Sequence, residues 1–177
     1  MIETLISSKT RVKLLMKFFL NSNNRSYLRN LEEEFGESTN GIRLELNKFE
    51  KAGFLESVAE GNKKIFKANS KHPLFNDIHS ILLKMTGLDH VIDYVLKRIG
   101  QLDQVYLVGK LAKGKDSEII DLVLVGEAIN KTFLIEQIEK AEKKIGKKIR
   151  YVHFRRDEFE LSKIEEPGMR PLLIWSK

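Results

Sequence analysis

The stretch Ser38–Gly53, STNGIRLELNKFEKAG, constrains this chain more than any other. Ile42, Leu46 and Phe49 recur at i, i+4 and i+7, which predicts one buried stripe of an amphipathic helix. Ser38 is a natural cap for its start, and Gly53 stands where a left-handed residue ends a helix. The remaining positions, Thr39, Asn40, Arg43, Leu44, Asn47, Lys48 and Lys51, make a polar and basic face with few acids, Glu45 and Glu50. Any surface helix turns charge outward, so this face gains meaning only from what flanks it.

Upstream, Ser8 is placed to cap a helix whose Val12, Leu15, Met16 and Phe19 form one stripe, with Leu14 and Phe18 on a second face. Ile2, Leu5 and Ile6 precede it, so there is more apolar surface than one small core needs. Asn21–Ser26 reads as a polar loop, and Tyr27, Leu28, Leu31 and Phe35 as a short helix ending at Gly36. Downstream, residues 54–60 and 63–68 flank Gly61-Asn62, a pair that accepts positive φ, so a hairpin is expected. It carries Lys63, Lys64 and Lys67.

Two short helices, a tight turn, a longer amphipathic helix and a basic hairpin resemble the winged helix-turn-helix regulators of the ArsR and MarR type. The resemblance covers residues 8–69, and its most specific part is LNKFEKAGFLES, Leu46–Ser57. It implies a DNA-binding transcriptional regulator, with a recognition helix at 38–52 in the major groove and a wing at 55–68. In that arrangement Arg43 would reach guanine, Asn40 or Asn47 adenine, and Leu44 a thymine methyl or a neighbouring helix. Arg25, Arg29, Lys48, Lys63 and Lys64 would meet phosphates, with Ser38, Thr39 and Asn62 beside them. The same face could instead serve protein contacts, as in an antitoxin-like interaction module.

Charge agrees with a polyanionic partner. The chain carries a net +6, and residues 1–72 hold 13 Lys and Arg against nine Glu. With 177 residues, 42% hydrophobic and 32% charged, it suits one medium or two small globular domains. No cysteine is present, and His72, His79, His90 and His153 show no ligand spacing, so neither a metal nor a cofactor is expected. The absence of a signal-peptide pattern or a spanning apolar run predicts a cytoplasmic protein with no membrane partner.

Residues 73–101 read as a helical connector. Leu74, Phe75, Ile78, Ile81, Leu82 and Met85 keep a helical period to Gly87, and Asp89 is expected to cap a second helix closed by Gly100. Such helices suit the seam of a homodimer.

In residues 102–177, strands are expected at Gln104–Val108, Ile119–Val125, Ile149–Phe154 and Leu172–Trp175, with a helix marked by Leu134, Ile138, Ala141 and Ile145. The segment Val105–Gly126, VYLVGKLAKGKDSEIIDLVLVG, resembles the nucleotidyltransferase fold of DNA polymerase beta-like enzymes. Gly109, Gly114, Asp121 and Leu122 match that family's pattern, and Ser117 matches it with one extra residue before the strand. Lys110 replaces its serine, and Ile119 stands where the first of two metal-binding carboxylates belongs. Glu118 is one residue out of register and falls on the opposite strand face. One carboxylate does not organise two Mg²⁺ ions, so the resemblance implies a vestigial, non-catalytic domain. A divergent Mg²⁺-dependent nucleotidyltransferase using Glu118 and Asp121 is the alternative. Lys110, Lys113 and Lys115 leave a phosphate-bearing small ligand as a candidate partner.

The expected fold is therefore α+β in two domains. Residues 1–72 form a winged helix-turn-helix, 73–101 a helical connector, and 102–177 a small α/β nucleotidyltransferase-like domain. Double-stranded DNA and a second copy of the chain are the expected partners.

Overall fold

Ser8 accepts a hydrogen bond from the Arg11 N–H and so starts α1 (Lys9–Leu15) in the computed structural model, which describes residues 6–96, Ile99 and 102–177. The helix continues as a wider π-type turn, Met16–Leu20. Its apolar residues Val12, Leu14, Leu15, Met16, Phe18, Phe19 and Leu20 are all buried, on both expected faces. The loop that follows is less polar in its surroundings than its composition suggests. Asn21, Asn24 and Ser26 are buried, and the Asn24 amide donates to the Lys17 carbonyl at 2.9 Å, satisfying one orphan acceptor of the helix end.

Tyr27 does not open the second helix. It belongs to a two-residue strand, β1 (Ser26–Tyr27), which pairs antiparallel with Ile65 and Phe66, and α2 (Leu28–Phe35) begins after it. α3 (Thr39–Lys51) is capped by the Ser38 hydroxyl, which accepts from the Gly41 N–H. Phe54 N–H to the Phe49 carbonyl and Gly53 N–H to the Glu50 carbonyl close it as a Schellman motif, and the Phe49 and Phe54 rings meet edge-on at 5.9 Å. The antiparallel hairpin β2 (Leu55–Glu60) and β3 (Lys63–Ala68) follows, and with β1 it makes a sheet of order β1-β3-β2. At its tip only Gly61 takes positive φ, at +60°, and Asn62 does not, so the turn needs left-handed backbone at its first central residue alone.

The chain divides into two units, Met1–Met85 and Thr86–Lys177. The expected connector is thus not a segment of its own. α4 (Phe75–Thr86) belongs almost wholly to the first unit, where the Phe75 ring lies 5.5 Å from that of Phe19. α5 (Leu88–His90), extended by a π-type turn Val91–Val95, belongs to the second. Gly87, not Asp89, holds the cap position of α5, and Asp89 falls inside its first turn. The expected stop at Gly100, like Ile2 and Leu5, lies outside the described residues.

The second unit is built on a four-stranded sheet of order β6-β5-β4-β7, from β4 (Gln104–Val108), β5 (Ile119–Val125), β6 (Lys148–Phe154) and β7 (Leu172–Ser176). β5 runs antiparallel to β4 and parallel to β6, with α7 (Lys131–Ile145) as the crossover between β5 and β6. Leu134, Ile138 and Ala141 of α7 are buried. Alternation along β5 explains the layers. Ile120, Leu122 and Leu124 share a buried face with Val105 and Leu107 of β4, while Val123 and Val125 pack with Ile164, Tyr106, Phe154 and Phe159 on the other. The Gly109–Gly114 stretch holds the short helix α6 (Gly109–Ala112). The whole is a mixed α and β protein. Among its described residues no helix is long and apolar enough to cross a membrane.

Candidate functional site

The face of α3 owes its character to where its acids go. Ile42, Leu46 and Phe49 are buried as the spacing requires, and Glu45 is buried with them, not displayed on the polar face. Both Glu45 carboxylate oxygens are taken by Arg11 of α1, at 2.9 and 3.2 Å, and Lys48 adds a contact at 3.0 Å. The Arg11 guanidinium, followed by Lys48, holds this carboxyl below the usual carboxylate range. Glu50 is bound by Lys64 of β3 at 2.6 Å and by the Ser57 hydroxyl of β2, which also lower its pKa. Glu50 therefore ties the last turns of α3 to both strands of the hairpin.

What stays exposed on α3 is Asn40, Arg43, Leu44, Asn47, Lys48 and Lys51. Leu44 is 55% exposed, so the expected alternative of packing on a neighbouring helix is not realised within its unit. Arg43 forms no ion pair among the described residues, and neither does Arg25. Lys48 and Lys64, expected as phosphate contacts, are each held by an acid instead. Helix periodicity and charge counts do not show this, because the acids that hold them are chosen by tertiary packing.

Seven of the sequence-selected residues meet in one open groove of about 590 Å³, namely Arg29, Thr39, Arg43, Asn47, Asn62, Lys63 and Lys64. Leu28, Leu46 and Phe66 give it an apolar floor, and Glu32 is its acid. Arg25, Ser38, Asn40, Leu44 and Lys48 lie outside its lining, with Ser38 committed to capping α3. Tyr27 lines the groove and was not selected from sequence. The Lys63 ammonium sits 4.5 Å from its ring centroid, a cation–π contact that places this charge over the groove wall. A two-residue strand is too short to show periodicity, so only the neighbouring basic hairpin hinted at it.

In the second unit Asp121 of β5 lies against Gly109. A Cβ on Gly109, whose φ is +70°, would stand 2.5 Å from Asp121 Oδ2, so glycine is required both by the backbone and by this approach. Asp121 Oδ1 accepts from Arg150 of β6 at 2.7 Å, a contact between residues paired across the two parallel strands. Ile119, two residues earlier, shares the Asp121 face and offers no ligand. Ser117 accepts from the Ile119 N–H, Lys110 is exposed, and Lys113 pairs with Glu166. Among the described residues no three His, Asp or Glu side chains form a cluster suited to a metal ion.

No protein-family model and no curated protein matches the chain. Among solved structures, the crystal structure of AF1382 from Archaeoglobus fulgidus is similar at 23% identity, with a TM-score of 0.40, over 48% of this chain and 97% of that one. A likeness of that size assigns neither a fold nor an activity.

Proposed function

We propose that the protein is a DNA-binding transcriptional regulator whose first unit is a winged helix-turn-helix, with α3 as recognition helix and β2–β3 as wing. One observation carries the reading. α3 presents Asn40, Arg43, Leu44 and Asn47 outward, while both of its acids are neutralised, Glu45 by α1 and Glu50 by the hairpin. A helix face of amides, arginine and an apolar side chain matches the donors, acceptors and methyl groups of a major groove. Arg29 and Lys63 flank it and suit phosphates, which give affinity without sequence choice.

The second unit acts in this reading as a non-catalytic nucleotidyltransferase-like domain, a scaffold or a sensor of a phosphate-bearing ligand. Support comes from Asp121, whose carboxylate faces an arginine where two metal ions would need a second acid. The test of the whole is selection of bound sequences from a random duplex pool, followed by salt titration. Enrichment of a defined motif is expected, with log K falling by ~0.9 per phosphate contact for each decade of salt. If no duplex is enriched and none binds at low salt, the DNA reading falls, and a protein partner for the α3 face replaces it. Turnover of labelled nucleotide with Mg²⁺ or Mn²⁺ would overturn the non-catalytic assignment.

A further inference from the structure

The lysines of the hairpin are held in two different ways. Lys64 lies 2.6 Å from Glu50 and Lys67 lies 3.2 Å from Glu56, so a carboxylate offsets each charge. Lys63 forms no ion pair among the described residues, although Glu60 is its register partner across the turn. Its ammonium lies instead 4.5 Å from the ring centroid of Tyr27. Lys64 also lies over a ring, that of Phe66 at 5.1 Å, but there the Glu50 carboxylate is present as well.

Strand register brings Lys63 and Tyr27 together. β1 is antiparallel to β3 with Tyr27 opposite Ile65, so Lys63, two residues before Ile65, is the diagonal neighbour of Tyr27 on the same sheet face. That separation is within reach of an aromatic ring and a long side chain. The ring attracts the ammonium through its quadrupole and carries no net charge, so it orients Lys63 without neutralising it. Both residues line the groove beside α3. Lys63 is exposed and Tyr27 half-buried, which leaves the ammonium open to an anion. The Tyr27 hydroxyl forms no hydrogen bond among the described residues, so the ring is the part that Lys63 meets.

We propose that Tyr27 is a positioning residue for Lys63, and that Lys63, held on its ring, makes the hairpin's phosphate contact while Lys64 and Lys67 stay with their acids. Both roles rest on the reading of the first unit as a DNA-binding domain. A lysine that swings freely gives up side-chain freedom when it meets a phosphate, and one already placed on a ring gives up less.

Salt titration of the full chain on a duplex selected from a random pool tests the proposal. Lys63→Gln should weaken binding about 10-fold and make log K against log salt shallower by ~0.9 for each copy of the chain bound. Lys64→Gln and Lys67→Gln should each change that slope by less than half as much. Tyr27→Leu should weaken binding about 3-fold, and Tyr27→Phe, which keeps a ring, should bind as the wild type does. Tyr27→Leu/Lys63→Gln should bind no more weakly than Lys63→Gln alone, because Tyr27 acts only through that lysine. Additive losses in the double variant, or a Tyr27→Phe protein as weak as Tyr27→Leu, overturn the positioning role. A slope change for Lys64→Gln equal to that for Lys63→Gln overturns Lys63 as the hairpin's contact. The DNA reading survives each of these results. If no duplex binds, that reading falls and the roles of Tyr27 and Lys63 fall with it.

Discussion

In the first unit acids of α2, of the turn after it and of α3 reach across to α1 and its π-type extension, Glu34 to Lys17, Glu37 to Lys13 and Glu45 to Arg11. In the second, Asp121 and Glu142 are held by cations from the edge strand β6, Arg150 and Lys148, which are themselves mostly exposed. One unit uses its acids as internal ties between helices and leaves a basic face outward. The other neutralises the one carboxylate its resemblance would assign to a metal. The difference teaches that formal charge locates neither a binding face nor a catalytic site until the partner of each acid is known.

The largest effect that would break this comparison lies in the Lys17–Glu34 pair. Lys17 is only 5% exposed, and both Glu34 oxygens lie within 2.9 Å of its ammonium. Glu34→Ala leaves a buried charge with its ion-pair partner gone and should cost roughly 3–5 kcal/mol. The chain's single tryptophan, Trp175, sits in β7 of the second unit. Helix loss followed by circular dichroism should therefore shift to lower denaturant, while the Trp175 fluorescence transition stays in place. Joint movement of the two transitions would mean that the units do not unfold separately.

Gly109→Ala is the counterpart in the second unit. It forces a Cβ against Asp121 at a left-handed backbone position and should cost about 1–3 kcal/mol. Here the Trp175 signal should move. On the binding side, Arg43→Ala should weaken a selected duplex by about 1–3 kcal/mol and relax preference at one base pair, read by competition with single-base variants. Unchanged affinity and preference would remove Arg43 from the reading face.

The smallest effect is acid sensitivity. Glu45, lowered first by Arg11, and Glu50, lowered first by Lys64, have folded pKa values below their unfolded ones. Glu37 is also lowered, Lys13 and Thr10 outweighing its desolvation. Such groups stabilise fully above the unfolded carboxylate pKa of ~4.3, and the contribution is lost as pH falls through the folded values. Among the described residues the second unit has one comparable group, Glu142, lowered first by Lys148. Thermal melts between pH ~6 and ~3 should thus show circular dichroism losing stability faster than Trp175 fluorescence. Equal slopes would mean that the ties to α1 matter no more than the β6 contact.

The helices and the hairpin were legible because their causes are local. Ser8 and Ser38 cap within three residues, Ile42, Leu46 and Phe49 repeat within two turns, and Gly61 bends the chain between adjacent strands. The strand Ser26–Tyr27 was not legible, since two residues carry no period and its partners lie near residue 65. Nor was the division inside 73–101. Two consecutive helices look alike in sequence, whichever core each one joins.

By itself, then, the sequence determined the longer helices and strands, the basic stripe on α3 and the lack of a second carboxylate at Ile119. These follow from side-chain period, turn chemistry and residue type. Only the tertiary structure decided that Glu45 is buried against Arg11, that Lys64 is held by Glu50, and that Arg150 takes the Asp121 carboxylate. Those partners are 34, 14 and 29 residues apart, and the choice among competing counter-ions is made by packing. The same holds for Lys63. Its place in a basic hairpin is written in the chain, but the Tyr27 ring beneath it is there only once β1 has joined β3.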